Sequence, residues 1–454
     1  MPRLKLEKIT EALRGTEFEG RAWLVGGAVR DELLGRKHGN DLDIVVLGDA
    51  AKAAEILWQK KLATSPPVTY PRFGTAMAHV DGVNIEFATA RKESYSDDSR
   101  KPDTKPATIE EDAQRRDFTV NALLKDLFTG EVLDPLEKGK DDLRHRRLRT
   151  PLEPRQTFYD DPLRMLRAVR FRWQLGFEPV EGLYEAIEEE AERLTIISAE
   201  RIRDELTKML LLADGQECLA DLMDLGLIRH IAPEFCEGVG MDQGPYHDMD
   251  VWGHTLAVVG NTDPRDLTLR LAALFHDVAK PVCRKQEAGK TTFHGHDAEG
   301  ATMARQIMER LRFSTEQADE VALLVRHHMR LVGVQSLTDA AARRIWRDLG
   351  DQTERFVELC EADSAAHAAG VKRTDFVQLR DQLERVIEQT PLEKLDSPIS
   401  GERIMEVTGL EQGEEVGRVK RHLADLVIEG KLHPDDKEAA EREAVRSLGN
   451  RNNV

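Results

Sequence analysis

The sequence predicts an α+β N-terminal unit with a small mixed sheet, followed by a chain that is mostly α-helical to its end. Three observations carry this. Short apolar runs bounded by turn residues cluster before residue 91, apolar residues recur at three- and four-residue spacing after residue 155, and strand signals nearly vanish there. At 454 residues the chain exceeds one ordinary core; a prior of roughly 150 residues per domain gives several units.

Taken in order, MPRLKLEKITEALRG reads as an amphipathic helix without the apolar core of a signal peptide. Strands follow at AWLV (22–25), LDIVVL (42–47), TAMAHV (75–80) and NIEFATA (84–90), with a helix between the first two. The segment ESYSDDSRKPDTKPATIEEDAQ, ahead of Arg115, is polar, holds prolines and lacks periodicity, and so reads as a mobile loop. Helical spacing then dominates, as in LRMLRAVRF and RIRDELTKMLLL. Seven of the fourteen histidines fall between His247 and His328 and an eighth is His367, which marks a further unit. From residue 368 the chain is charged and helical, interrupted at Ser397-Pro398 and by Gly401, Gly409, Gly413 and Gly417, and only SLGNRNNV reads as frayed. The expected units are 1–145, 146–245, 246–367 and 368–454, without an internal repeat.

Composition narrows the classes. Hydrophobic residues at 40% and charged residues at 33% describe a folded protein with charged helical surfaces, not a disordered one. No apolar run has the length to span a bilayer, and a cytoplasmic location is expected. Four cysteines without a CxxC pair indicate neither a disulfide framework nor a thiolate zinc site. A net charge of −18 argues mildly against nucleic-acid binding. Between Leu143 and Trp173, however, nine arginines stand against three acids, a local field able to meet phosphates.

The first chemistry-bearing constellation is Gly26-Gly27-Ala28-Val29-Arg30-Asp31, then a helix, then Asn40-Asp41-Leu42-Asp43 opening a strand. Residues two apart in a strand project to one side, so Asp41 and Asp43 can converge on a pair of cations. Two Mg²⁺ ions about 4 Å apart are what nucleotidyl transfer uses, and oxygen ligands suit that hard ion. The glycines let backbone amides approach phosphate, and Arg30 can neutralise charge. Glu86, charged within the apolar strand IEFATA, is the best candidate for a third catalytic carboxylate.

Strand, Gly-Gly, helix and DxD-bearing strand, in that order, resemble the head of the polymerase β-type nucleotidyltransferase superfamily. Four further segments resemble the bacterial class II tRNA nucleotidyltransferase and poly(A) polymerase family. Arg115-Arg116-Asp117-Phe118-Thr119-Val120-Asn121-Ala122 implies ribose and phosphate contacts by Arg116, Asp117 and Asn121. Asp134-Pro135 through Asp141-Asp142-Leu143 is similar to the hinge between head and neck, with Gly139 at a bend. Asp160-Asp161-Pro162-Leu163-Arg164, where the family's pattern begins with Glu, implies a protein template. Asp161 and Arg164, three apart on a helix face, would read the base edge of C or A, with Asp160 and Arg167 beside them. Ser198-Ala199-Glu200-Arg201-Ile202, with Glu205 and Lys208, resembles the neck helix, capped by its serine. A loop at 92–114 is tied in the family to the switch from CTP to ATP, and its presence, with Asp97 and Arg100, implies addition of A.

The second constellation is His254, His276-Asp277 with Lys280, His294 and His296, His327-His328, and Asp363. Imidazoles with carboxylates suit Mn, Fe, Co, Ni or Zn. The order resembles the HD phosphohydrolase superfamily. The resemblance implies a metal-dependent phosphatase, 2′-nucleotidase or cyclic phosphodiesterase that repairs RNA ends, with Lys280 holding phosphate. His296 is preferred to His294, and His327 and His328 stay open as alternatives. The C-terminal PISGERIMEVTGLEQGEEVGRVKRHL is similar to the tail of the same enzymes. Together the resemblances imply addition of CCA to tRNA from CTP and ATP without a nucleic-acid template. The alternatives are a poly(A) polymerase, a partial CC- or A-adding enzyme, an HD hydrolase with an RNA-binding head, and an inactive scaffold.

Overall fold

Alternating burial in the strands places one polar row on the N-terminal sheet. A computed structural model describes residues 2–37, 41–96, 99–244, 247–287, 290–368 and 374–449. The chain divides into two compact units, Met1–Pro233 and Glu234–Val454.

In the first unit β1 (Ala22–Val25), β2 (Asp41–Val46), β3 (Val68–Tyr70), β4 (Thr75–Val80) and β5 (Val83–Thr89) coincide with the predicted strands to within a residue, β3 being additional. A two-stranded ribbon, β6 (Arg91–Ser96) and β7 (Ser99–Pro106), precedes β8 (Leu124–Asp126) and β9 (Val132–Leu133). The seven-stranded sheet has the order β3-β4-β5-β2-β1-β8-β9. It is mixed because β2 pairs parallel to β5 while its other pairings are antiparallel. Leu42, Ile44, Ile85 and Phe87 are buried, whereas Asp41, Asp43, Asn84 and Glu86 are exposed on their own strands. The helix Ala50–Gln59, capped by Asp49, packs against β4 and β5 through Ala53, Ala54 and Leu57.

The segment expected to be a mobile loop is instead the β6–β7 ribbon followed by a helix, Ile109–Gln114. Its helix start was legible. Thr108 accepts from the Glu111 amide while Glu111 reaches back to the Thr108 amide, a capping box. The ribbon carries no apolar alternation and stands outside the seven-stranded sheet, so the usual strand signal is absent. Asp97 lies outside the described residues, as does the side chain of Arg100.

Gly139 also differs from expectation. It starts the helix Gly139–Arg144, and a Cβ there would lie 2.6 Å from the Thr119 carbonyl oxygen and 2.9 Å from Leu123. Glycine is required by close packing, not by a bend. Gly139→Ala is expected to lower stability by about 1–3 kcal/mol, read as a reduced denaturant midpoint.

Among its described residues the second unit is almost wholly helical, with one short pair of strands, Lys285–Glu287 and Lys290–Thr292. Its last three helices, Gly401–Thr408, Glu414–Ile428 and Lys437–Gly449, enclose Ile404, Val419, Leu423, Val427, Ala440 and Ala444. Helix thus continues through Ser447-Leu448-Gly449, part of the stretch expected to fray. Among the described residues no helix is long and apolar enough to cross a membrane.

Candidate functional site

Strand register assembles the first site. Asp43 of β2 stands opposite Glu86 of β5, and Asp41 opposite Asn84, whose amide donates to Asp41 Oδ1 at 3.2 Å. Period-two geometry puts all four side chains on one face. Gly26, at φ +76°, follows β1, and a Cβ there would sit 3.5 Å from Asp43 Oδ2. The chain turns tightly beside that carboxylate, and only glycine adopts this conformation without strain. Gly27 begins the next helix, with the Arg30 guanidinium over its Cα. Desolvation, with Asp41 adding repulsion against the pull of Arg116 and Arg167, raises the pKa of Asp43. Desolvation followed by Asp43 raises that of Glu86. Crowded carboxylates of this kind call for a cation.

Next to this face runs a buried polar chain. Arg30 donates to Asn121 Oδ1 at 2.7 Å and pairs with Asp31. Asn121 donates to Asp117 Oδ1 at 3.0 Å, and Asp117 Oδ2 accepts from Arg167 Nε at 2.8 Å. Arg170 joins Glu205 at 2.6 Å. The guanidiniums of Arg30, Arg167 and Arg170 surround the Phe171 ring at 5.1, 5.3 and 4.2 Å from its centroid. Arg30, 4% exposed, therefore has its guanidinium occupied by Asn121 and Asp31. Asp112 accepts from both Arg115 and Arg116, fixing Arg116 near Asp43.

Burial opposes the charge of Asp117, but Arg167 and the hydrogen bonds from Asn121 and Arg167 outweigh it and hold the carboxyl at about 2. A folded pKa below the unfolded value stabilises above pH 4 and loses that stabilisation as pH falls through about 2. The shift is worth about 2 kcal/mol. Asp117→Asn is expected to lower the thermal midpoint more at pH 7 than at pH 3; equal losses at both would contradict the linkage.

Asp161 and Arg164 do not share a helix face. The helix Pro154–Asp160 ends at Asp161, which is extended (φ −138°, ψ 98°), and Leu163–Leu175 starts afresh. Pro162 causes the break, since a residue before proline is driven from the helical region. Asp161 meets Arg201 at 3.0 Å, while Arg164 is buried and donates to the Arg115 carbonyl. Asp160 accepts from Gln156 at 2.7 Å. Ser198 occupies the N-cap position of Ala199–Leu210 without a side-chain capping bond, contrary to expectation. The arginine-rich stretch is braced by acids that flank it in sequence, Asp117, Asp141, Asp142, Glu190, Glu205 and Asp221: Arg144, Arg147, Arg149, Arg155, Arg167, Arg170 and Arg172 each lie within 3.8 Å of one of them.

The second site forms where helix ends converge. His254 lies on Val251–Gly260, and His276 ends Leu267–Phe275. His296 starts His296–Arg310 after Gly295 at φ +84°, His328 follows Thr315–His327, and Asp363 lies on Thr353–Ala365. His276, His296 and His328 each engage through Nδ1 the carbonyl three residues earlier, at 2.7, 2.8 and 2.7 Å. Their Nε2 atoms are thereby turned toward Asp277, at 3.0, 3.4 and 3.8 Å. His254 Nε2 lies 3.0 Å from Asp363 Oδ1. Two groups, His254 with His276 and Asp363, and Asp277 with His296 and His328, each bring their donor atoms within 4.8 Å. His276 Nε2, 3.0 Å from Asp277 Oδ2, is buried without a well-aligned hydrogen bond, and the grouped nitrogen and oxygen donors are of a kind that suits a metal. Burial opposes the charges of Asp277 and Asp363, yet histidines, joined at Asp277 by Lys280, hold both carboxylates well below their usual range.

His327 and His328 are now distinguished. His328 is buried in the cluster, where burial and His276 push it down to about 4. His327 is half-buried, with Arg326, Arg330 and Asp348 as its charged surroundings, and is not among the grouped donors. One residue of helix turn, about 100°, separates them. His296 is buried and His294 exposed. Lys280 joins Asp277 Oδ2 and Gln243 Oε1, each at 2.6 Å. Sequence reasoning missed Asn84, Gln243, His247 and His367. Asn84 was findable, two residues before Glu86 on the same face. His247 and His367 stand against His254, at 4.6 and 5.6 Å between ring centroids, with only histidine abundance as a signal.

Three family models match in order: "Poly A polymerase head domain" over 22–149, "Probable RNA and SrmB- binding site of polymerase A" over 176–238, and "HD domain" over 246–366. A CC-adding tRNA nucleotidyltransferase of Thermus thermophilus is 35% identical over 90% of this chain and 90% of its own. An A-adding tRNA nucleotidyltransferase of Deinococcus radiodurans is 35% identical over 72% and 77%. Among solved structures, the Bacillus stearothermophilus CCA-adding enzyme in complex with CTP matches 99% of both chains at TM-score 0.70 and 23% identity. The chain therefore belongs to the bacterial tRNA nucleotidyltransferase and poly(A) polymerase family, carries an HD domain, and is a nucleotidyltransferase.

Proposed function

We propose that this enzyme builds CCA on tRNA 3′ ends from CTP and ATP without a nucleic-acid template, and that its histidine centre hydrolyses phosphate esters at RNA ends. The observation that carries the first activity is the register of Asp43 against Glu86, with Asp41 two residues before and the Gly26 backbone beside them. These three carboxylates would hold Mg²⁺, which lowers the pKa of the attacking 3′-hydroxyl and screens the triphosphate. Their all-oxygen donor set suits that ion, and the raised pKa values of Asp43 and Glu86 reflect burial and crowding that a bound cation would relieve. The 3′-oxygen bonds to the α-phosphorus as the bond to pyrophosphate breaks. Gly26 and Gly27 admit the phosphates close to the backbone, and Arg116, held by Asp112, adds positive charge beside Asp43. Arg30, Asn121, Asp117 and Arg167 form the wall against which the ribose packs.

Base choice falls to Asp161 and Arg164, on either side of the helix break. A base edge with an exocyclic amino donor next to an acceptor replaces Arg201 at Asp161 and the Arg115 carbonyl at Arg164. C and A offer that pair of groups. In this reading residues 1–145 are the head, 146–245 the template-bearing neck, 246–367 the hydrolase and 368–454 a tail.

A second reading, addition of only part of CCA, is favoured by the CC-adding and A-adding names of two relatives at 35% identity. Sequencing the products made on tRNA ending before, after one, or after two cytidines separates the two. Full CCA from all three is expected; a stop after CC, or addition of A alone, establishes the partial reading.

At the histidine centre, Mn, Fe, Co, Ni or Zn held by His254, His276, Asp277, His296, His328 and Asp363 would activate water against a phosphate ester. Lys280 holds the phosphate, oriented by Gln243.

A further inference from the structure

The carboxylate face of the N-terminal sheet does not end at Glu86. Glu86 stands opposite Met77 of β4, and Met77 opposite Val68 of β3, the edge strand. One row along, Ala88 stands opposite Thr75, and Thr75 opposite Tyr70. Directly paired residues share a face, so Val68 and Tyr70 project on the side of the carboxylates. They are 54% and 46% exposed, and Phe73, just past the strand end, is 42% exposed. Three large apolar side chains exposed within six residues, on a face that carries a polar site, mark a contact surface.

The backbone beneath this surface is held in place. Pro71–Phe73 form a single 3₁₀ turn closed by Gly74 at φ +60°. Thr104 Oγ1 of the ribbon donates to the Arg72 carbonyl at 3.5 Å, and the Arg91 guanidinium donates to the Phe73 carbonyl. Arg72 and Lys105 are exposed, and Phe73, Arg91 and Lys105 line a cavity of about 510 Å³. Aromatic rings interleaved with cations suit single-stranded nucleic acid, whose bases stack while its phosphates meet the charges. The chemistry of transfer sets the side. Gly26 and Gly27, which admit the triphosphate, follow β1, the neighbour of β2 on one flank of Asp43. In-line displacement brings the attacking oxygen from the flank opposite the departing pyrophosphate. That flank is β5, and β4 and β3 lie beyond it.

We propose that Tyr70, with Val68 and Phe73 beside it, stacks a base in the unpaired 3′ strand of the RNA being extended, and that Arg72 and Lys105 meet the phosphates of that strand. Tyr70 lies two strands across and two residues along from Glu86. That is about 12 Å at the usual strand spacing and rise, the length of about three nucleotides stacked at roughly 3.4 Å. The proposal rests on the reading of the carboxylates as a nucleotide-adding centre and adds to it the residues that hold the acceptor strand. Stacking reads no base edge, so the platform fixes the position of the strand and leaves its sequence unread.

The test compares the full chain with Tyr70→Ala, Tyr70→Phe and Arg72→Ala. Equilibrium binding is measured, without nucleotide, for tRNA ending after two cytidines, whose 3′ strand is unpaired, and for a blunt-ended RNA minihelix, which has no such strand. Extension of the same tRNA with ATP and Mg²⁺ is followed in parallel. Tyr70→Ala is expected to weaken binding of the tRNA about tenfold and to raise its KM to match, with kcat and the KM for ATP near those of the wild type and minihelix binding unchanged. Tyr70→Phe keeps the ring and restores both. Arg72→Ala lowers the slope of log affinity against log salt by about one. Equal binding of the tRNA by the wild type and Tyr70→Ala, or an equal loss on both RNAs, overturns the proposal. Tyr70-dependent binding without extension by the wild type removes the nucleotide-adding reading and leaves the platform standing; extension untouched by Tyr70→Ala does the reverse.

Discussion

Replacing Asp41 and Asp43 together by alanine is expected to reduce nucleotide addition to tRNA by about a thousandfold or more while leaving phosphate release at the histidine centre unchanged. A bound metal contributes several kcal/mol of charge stabilisation in the transition state, and each 1.4 kcal/mol is about tenfold in rate. The fold should not suffer. Both residues are exposed on β2, and the loss of Asp43 relieves repulsion that raises the pKa of Glu86. The thermal midpoint is therefore expected to stay level or rise. A fall of several degrees would mean that the Asn84 bond to Asp41 and the pull of Arg116 and Arg167 on Asp43 outweigh the repulsion.

His276→Ala with Asp277→Ala is expected to do the reverse, abolishing metal content and phosphate release at the C-terminal unit while sparing nucleotide addition. Here stability is at stake. Asp277 is 2% exposed and is the carboxylate partner of His276 and Lys280. Removing it leaves a buried ammonium uncompensated, at a cost of about 3–5 kcal/mol. Asp277→Asn keeps the shape and an acceptor for Lys280, so it separates loss of metal from loss of fold. Metal analysis beside both assays reads the outcome. Loss of both activities in either double variant would refute two independent sites.

Much of this was legible because local patterning and tertiary demand agree. In β2 the alternation of Asp41 and Asp43 with Leu42 and Ile44 states both the strand and the polar face. The order of histidines and aspartates points to the same six donors that the structure gathers into two candidate metal-holding groups, apart from the choice at His327-His328. What was illegible depended on contacts or on local breaks. Pro162 ends a helix that the spacing of Asp161 and Arg164 suggested was continuous. The β6–β7 ribbon carries no apolar alternation in its sequence, so no pattern announced it, and the capping pair Thr108 and Glu111, which marks the helix after it, was passed over in reading the segment as a loop. Gly139 looked like a hinge because sequence cannot display the Thr119 carbonyl packed beneath it. His327 and His328 were equal in sequence and differ only in the side of the helix end on which each falls.

The most direct test of the central claim is incorporation of α-labelled CTP and ATP by the purified chain with Mg²⁺ on tRNA lacking its 3′ terminus, against an unstructured RNA of equal length. Extension of the tRNA by C, C and A, with the unstructured RNA unextended, is the predicted result. No extension of the tRNA, or A-tailing of both RNAs, would contradict it.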